Sequence, residues 1–335
     1  MKKLTRKQLK YKKIFLEKIR KGIYKEKKIH CPCGKYDDMK ISETDPRGIP
    51  LKVVLCQRCG LMRVDPYYTE KTLINFYNFE YRGLYEEELK VSNEFFGREV
   101  EGGRFIYDYL KKYYFKRDFS GKTIFEIGCS AGGILFSFKE KGNHVFGCDY
   151  DSSYLAYGKS KGLNLKVGGI ERLLELKKKA DVVILCHVLE HVPDPVSELK
   201  KVKKILKKDG VIFIAVPGIY YIHKSSQSSF EDYIQNAHVF YFTLKTLTKI
   251  AKISGLGLEH GDESVFAIFR EGGIGRRSYK EDYKKILSYL KKIETFKLYF
   301  LFISYIQDMA IILLRKTKLL GIFTKLYQSA RSRLI

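Results

Sequence analysis

Apolar residues in the first 29 positions fall at Leu4, Leu9, Ile14, Phe15, Ile19 and Ile23 between clusters of lysine and arginine. That spacing is close to the helical period and predicts a basic amphipathic helix over 1–29. Periodicity then lapses through a cysteine-bearing, turn-rich stretch, 30–62. Residues 63–118 contain Asp65-Pro66 and a Tyr/Phe-rich run. They predict helices around 69–79 and 92–114 and read as a linker and substrate-side cap. From 121 the pattern changes to short β-branched runs alternating with Lys-rich helical segments, the signature of βαβ units and a parallel sheet. Seven strands are predicted, at 123–127, 144–148, 165–167, 182–186 and 211–216, with an antiparallel pair near 257–263 and 265–269. After 270 the character is helical, with a basic helix near 278–293 and an apolar stretch near 295–314. The expected organisation is an α/β domain over 119–270, preceded by a small module and followed by a helical tail over 271–335.

At 335 residues, 45% apolar and 14% aromatic, the chain suffices for about two domains with a real core. The first thirty residues scatter charge among their apolar positions, unlike a secretion signal. The net charge of +25 is concentrated at the two ends, where residues 1–30 and 270–335 carry nearly all the excess. Most of the basic residues are lysine, whereas bidentate phosphate and base recognition favours arginine. Two readings of the charge stand side by side: solvated helix faces, or contact with an anionic polymer or membrane surface.

Four of the seven cysteines form two pairs, Cys31-Pro-Cys33-Gly and Cys56-Gln-Arg-Cys59-Gly. Two such turns present four thiols in the way tetrahedral structural zinc requires, in a reducing compartment, and the chain is read as cytoplasmic. The first pair is tightly spaced, so His30 is an alternative to Cys31 as a ligand.

Lys122 to Gly133 reads KTIFEIGCSAGG, an apolar strand ending at an acid and followed by a glycine loop that opens a helix. Such a loop lets backbone approach a ligand and aims a helix N-terminus at it. About twenty residues on, Asp149 ends the second strand, where a carboxylate accepts both hydroxyls of a ribose.

The motifs EIGCSAGG, GCDYD and ADVVILCHVLEHVPDP together resemble those of class I S-adenosylmethionine-dependent methyltransferases. The stretch VVLCQRCGLMRVDPYYTEKTLINFYNFEYR is similar to the zinc-binding front segment of a branch of these enzymes, many of which modify sugars. The resemblance spans roughly 30–270 and implies a Rossmann-like seven-stranded methyltransferase sheet. It implies that Glu126 and Gly128 hold the methionine part of the cofactor and Asp149 its ribose. Cys129, Ser130, Gly132, Tyr150, Cys186 and His187 would line the same site. Where the family often has an aspartate beside the adenine, this chain has Gly168-Gly169-Ile170.

A hydroxyl acceptor must lose its proton, a task suited to histidine. His187, Glu190 and His191 follow the fourth strand, at the edge where ligands bind in open α/β sheets, and His238 follows a Ser/Tyr-rich segment that could close over an acceptor. Glu190, His191 and His238 are the catalytic candidates; Glu190 and His191 also read as a hydrogen-bonded pair capping a turn. Sugar carbon methyltransferases of the resembled branch carry Glu-His in the later loop, whereas Ala237 precedes His238, which favours oxygen. The expected acceptor is a sugar in a nucleotide-sugar, glycan or lipid-linked saccharide. An RNA methyltransferase and a non-enzymatic zinc-ribbon interaction protein are the alternatives.

Residues 298–314 are apolar nearly all round, flanked by Lys297 and by Arg315, Lys316 and Lys318, with Asp308 inside. Three placements are open: a buried or homodimer-forming helix, an interfacial helix on the inner membrane face, or a short span.

Overall fold

The computed structural model describes residues 4–85, 91–224, 229–272 and 282–300, with 302, 306 and 309 beyond them. α1 (Arg6–Arg20) begins at Thr5, whose hydroxyl accepts from the Gln8 amide while the Gln8 side chain accepts from the Thr5 amide. It stops well short of 29, because Lys21 and Gly22, at φ 67°, turn the chain. The following residues instead form β1 (Glu26–Lys27). Nor does α1 stand free: Phe15 is fully buried, with ring centroids 5.2 to 5.7 Å from those of Tyr24, Tyr68 and Phe76.

The cysteine module is built on antiparallel β2 (Asp38–Thr44), β3 (Pro50–Cys56) and β4 (Met62–Val64). β5 (Tyr67–Tyr68) pairs with β1. Then come α2 (Glu70–Phe79), α3 (Tyr81–Tyr85) and α4 (Asn93–Leu110), which continues as a wider turn to Phe115.

From Thr123 the chain alternates strand and helix: β6 (Thr123–Ile127), α5 (Gly133–Glu140), β7 (His144–Asp149), α6 (Ser152–Ser160), β8 (Asn164–Val167), α7 (Glu171–Leu174), β9 (Ala180–Cys186), α8 (Pro195–Ile205) and β10 (Leu206–Ala215). α9 (Phe230–Tyr233), β11 (Phe240–Tyr241), α10 (Leu244–Ile253), β12 (Leu256–Gly261), β13 (Phe266–Glu271) and α11 (Asp282–Thr295) follow.

The seven predicted strands form one sheet, ordered β12-β13-β10-β9-β6-β7-β8 and parallel except for β13. β10 starts at Leu206 rather than 211, because Leu206 already pairs with Ala180 before an irregularity in the register. Alternate residues serve opposite faces. Val183 and Leu185 of β9 join the core shared with the N-terminal module, and Val182 and Ile184 the core under α4. Strand order reverses between β6 and β9, so the loops after these strands flank one crevice at the carboxyl edge.

β11 does not join the large sheet. It pairs with β4, Phe240 opposite Arg63 and Tyr241 opposite Met62, and completes a four-stranded sheet β11-β4-β3-β2. One strand of the module's sheet therefore comes from within the 119–270 segment. α11 packs on the module too: a side chain at Gly60 would run into Asp282. Its Ile286, Leu290 and Ile293 are buried, whereas Leu298 is 83% exposed. Most of the apolar stretch at 298–314, with its basic flank, lies outside the described residues. No helix among the described residues is long and apolar enough to cross a membrane.

Candidate active site at the carboxyl edge of the sheet

The loop between β6 and α5 requires unusual backbone. Gly128, Ser130 and Gly132 all have positive φ, 69°, 51° and 80°. The Cys148 carbonyl of the neighbouring strand accepts from the amides of Gly128 (2.8 Å) and Cys129 (3.0 Å), locking the loop onto β7. Asp149, at the end of β7, fixes it further: one oxygen accepts from the Ser130 amide and the other from the Asp151 amide, both at 2.9 Å. Asp151 is ion-paired with Arg82 of α3.

Glu126 is 2% exposed and one of its carboxylate oxygens has no hydrogen-bond partner. Burial, then the nearby Glu99 and Asp149, push its carboxyl well above the usual range. Glu99, a residue the sequence did not single out, comes from α4; it accepts from the Gly133 amide at 3.1 Å, and burial lifts it to about 7. Three carboxyl groups thus surround a glycine cradle, and among the described residues no basic side chain is hydrogen-bonded to Glu126, Glu99 or Asp149. An orphaned carboxylate beside a positive-φ loop fits the ammonium and sulfonium of S-adenosylmethionine, and the strand-end Asp149 fits its ribose. Tyr150 is 58% exposed and its hydroxyl reaches Gly169. Cys186 closes β9 next to the cradle, and His187, at φ 55°, hangs its amide on the Ala215 carbonyl.

Across the crevice, Glu190, His191 and His238 bring a ligating atom each within 4.8 Å of the others. Glu190 is 1% exposed; burial raises its carboxyl, but the His187 hydrogen bond at 3.3 Å and the neighbouring histidines outweigh that and hold it below the usual range. His191 and Glu190 are not a hydrogen-bonded pair, as their closest approach is 3.9 Å. His191 Nδ1 instead donates between the Ala237 carbonyl (2.9 Å) and the Tyr77 hydroxyl (2.8 Å), a network that assigns the neutral ring's lone pair to Nε2. Burial lowers His191 below the ordinary histidine value despite Glu190. His238 lies edge-on at 4.7 Å, pushed down to about 3 by burial and by His191, with Nε2 2.7 Å from the Gln235 amide nitrogen. Tyr77 and Gln235, like Glu99, are residues that sequence reasoning missed.

The four cysteine sulfurs also converge within 4.8 Å of one another, Cys31 to Cys59 at 3.4 Å and Cys33 to Cys56 at 3.7 Å. His30 is not among them; its exposed ring rests edge-on against Tyr36.

Residues 99–260 match the family profile described as a methyltransferase domain. This stretch, just under half of the chain, is thus similar to a methyltransferase domain. A ubiquinone biosynthesis O-methyltransferase of Pseudomonas paraeruginosa is 29% identical over 103 residues, 29% of this chain and 44% of that protein. Its counterpart in Acinetobacter baumannii is 31% identical over 104 residues, with the same coverage. The chain thus spans less than half the length of these curated relatives. Among solved structures, an S-adenosylmethionine-dependent methyltransferase from Clostridium acetobutylicum aligns over 59% of this chain and 99% of its own at 15% identity, with a TM-score of 0.41. A plantazolicin methyltransferase in complex with SAH aligns over 58% and 79% at 17% identity, also at 0.41.

Proposed function

We propose that the protein transfers the methyl group of S-adenosylmethionine to a hydroxyl oxygen of a saccharide, whether nucleotide-linked, polymeric or lipid-linked, and holds a structural zinc ion on Cys31, Cys33, Cys56 and Cys59. The observation that carries the activity is the meeting, at one sheet edge, of the carboxylate-lined glycine cradle with a neutral buried histidine. Bound cofactor supplies an electrophilic methyl on sulfur; the displacement is in line, so the protein's main task is alignment. Glu126 and the backbone of Gly128 would hold the cofactor's methionine end and Asp149 its ribose hydroxyls. His191 Nε2, held by Tyr77 and Ala237, would take the acceptor proton, and Glu190 would stabilise the imidazolium that forms. His238, neutral and tied to Gln235, would orient His191 by ring contact. The zinc site is structural, because four protein ligands leave no open position.

The curated relatives are named for an O-methylation in ubiquinone biosynthesis, so a phenolic hydroxyl is the second reading. Tritiated S-adenosylmethionine, incubated with the protein and an extract of cells lacking the gene, separates the two. Label in the water-soluble saccharide fraction supports the first, label in the quinone-containing lipid fraction supports the second, and label in neither refutes hydroxyl methylation of both kinds.

A further inference from the structure

Eight buried side-chain polar atoms among the described residues have no hydrogen-bond partner. Two belong to Glu126 and Glu190, at the crevice already described. Four others fall in one neighbourhood outside it: Asp45 Oδ2, Arg47 Nε, Tyr85 OH and Asn236 Nδ2. Asp45 and Arg47 sit in the turn between β2 and β3 of the cysteine module. Asp45 Oδ1 accepts from the amides of Arg47 (2.9 Å) and Ile49 (2.8 Å), which holds the turn and leaves Oδ2 over. The Arg47 guanidinium lies 4.2 Å over the Tyr85 ring, at the end of α3. Asn236, fully buried, spends its side-chain oxygen on the Tyr68 hydroxyl (2.7 Å) and leaves its side-chain nitrogen unpaired, while its backbone N–H faces the Asp45 carboxyl.

Each such orphan is destabilising when nothing pairs with it, so four in one neighbourhood call for partners that the described residues do not supply. The place is continuous with the crevice. Tyr85 stacks on Tyr81 at 5.2 Å, and Tyr81 lies edge-on to His191 at 6.4 Å, so a wall of rings runs from Arg47 to the proposed base.

We infer that Asp45, Arg47, Tyr85 and Asn236 form an acceptor subsite that binds a saccharide ring, and that the cysteine module is therefore part of the acceptor site. The donor set decides the class. Arg47 Nε and Asn236 Nδ2 donate, Asp45 Oδ2 accepts, and the Tyr85 hydroxyl does either. A polyhydroxylated ring offers both partners and lays its C–H face on tyrosine. A simple anion leaves Asp45 unpaired and repelled, and an apolar ring or prenyl chain leaves all four unpaired. This inference rests on the proposed saccharide methylation and extends it to Asp45 and Arg47, which precede the matched methyltransferase stretch 99–260 in the chain.

The test uses the full zinc-loaded chain, tritiated S-adenosylmethionine, and the water-soluble saccharide and nucleotide-sugar extract of cells lacking the gene, titrated by dilution. Tyr85→Phe, Arg47→Gln and Asp45→Asn each raise the half-saturating amount of extract at least tenfold, a larger effect than on the saturated rate. Calorimetric affinity for S-adenosylmethionine and zinc content stay at the wild-type values, which shows that the variants are folded. Unchanged half-saturation in Tyr85→Phe and Arg47→Gln, with label still entering the saccharide fraction, overturns the subsite and leaves the proposed function standing. No label in that fraction with wild-type protein overturns both.

Discussion

Glu99 accepts from the Gly133 amide at the start of α5 and is lifted by burial to about 7, with Asp149 adding to the rise and Ser130 and the loop amides opposing it. Below that pH the free protein carries a proton on Glu99. S-adenosylmethionine brings a sulfonium and an ammonium beside Glu99, Glu126 and Asp149, which favours the ionised carboxylates. Binding therefore releases protons, and affinity rises with pH. If Glu99 returns in the complex to an ordinary carboxyl value of ~4.3, linkage makes binding roughly 80-fold tighter at pH 8 than at pH 5, with about an eightfold gain from pH 5 to 6, about fivefold from 6 to 7 and less than about twofold above 7. Glu99→Gln keeps the size of the side chain and removes the titration, so its slope is smaller by up to about one proton. Calorimetry between pH 5 and 8, in buffers of different ionisation enthalpy, measures the proton release directly. SAH, lacking the sulfonium charge, gives a weaker dependence. Equal slopes for wild type and Glu99→Gln, or an affinity that falls with pH, would refute the electrostatic account of the cradle.

Asp149→Ala removes a charge-assisted contact to the ribose and weakens S-adenosylmethionine binding by ~1.5 to 3 kcal/mol in calorimetry without loss of the thermal transition; an unchanged affinity shows that the cofactor lies elsewhere. His191→Gln lowers the saturated rate by about 10² to 10⁴, and His238→Gln by less. Because burial holds His191 below the usual histidine value, the acid limb of the wild-type rate profile lies under pH 6.5; a limb above 7 contradicts its role as base. Metal analysis of reduced protein finds about one zinc per chain, and a metal-free folded sample refutes the cysteine site. Phe15→Ala opens a cavity among Tyr24, Tyr68 and Phe76 and lowers unfolding stability by ~3 to 5 kcal/mol; a loss under 1 kcal/mol in denaturant titration means α1 is not clamped.

The large sheet was readable because buried parallel strands must be short β-branched runs, and 182–186 or 211–216 can hardly be anything else. Features that depend on distant residues were not. Glu99 looks like one more carboxylate on a charged helix; only the close approach of α4 to Gly133 turns it toward the cradle. β11 has two residues, too few to show a period, and its partner lies in the cysteine module. The choice between His30 and Cys31 could not be made from spacing, whereas the fold buries Cys31 and turns His30 outward. The orphaned atoms of Asp45 and Tyr85 have no sequence signal, since a turn aspartate and a helix tyrosine are ordinary in isolation.

The pairing of β4 with β11 also sets an order of assembly. Arg63 leaves the ribosome about 180 residues before its partner Phe240, and contacts of such long range close late. The two cysteine turns, by contrast, are complete once Cys59 has emerged, so the proposed metal site has its four sulfurs before the later strand is made. The four sulfurs are thus in place early and the module's edge is paired late, by a strand that begins two residues after His238. The cluster of Glu190, His191 and His238 is finished only when synthesis has passed that strand, so a nascent chain bearing the glycine loop alone lacks the proposed base.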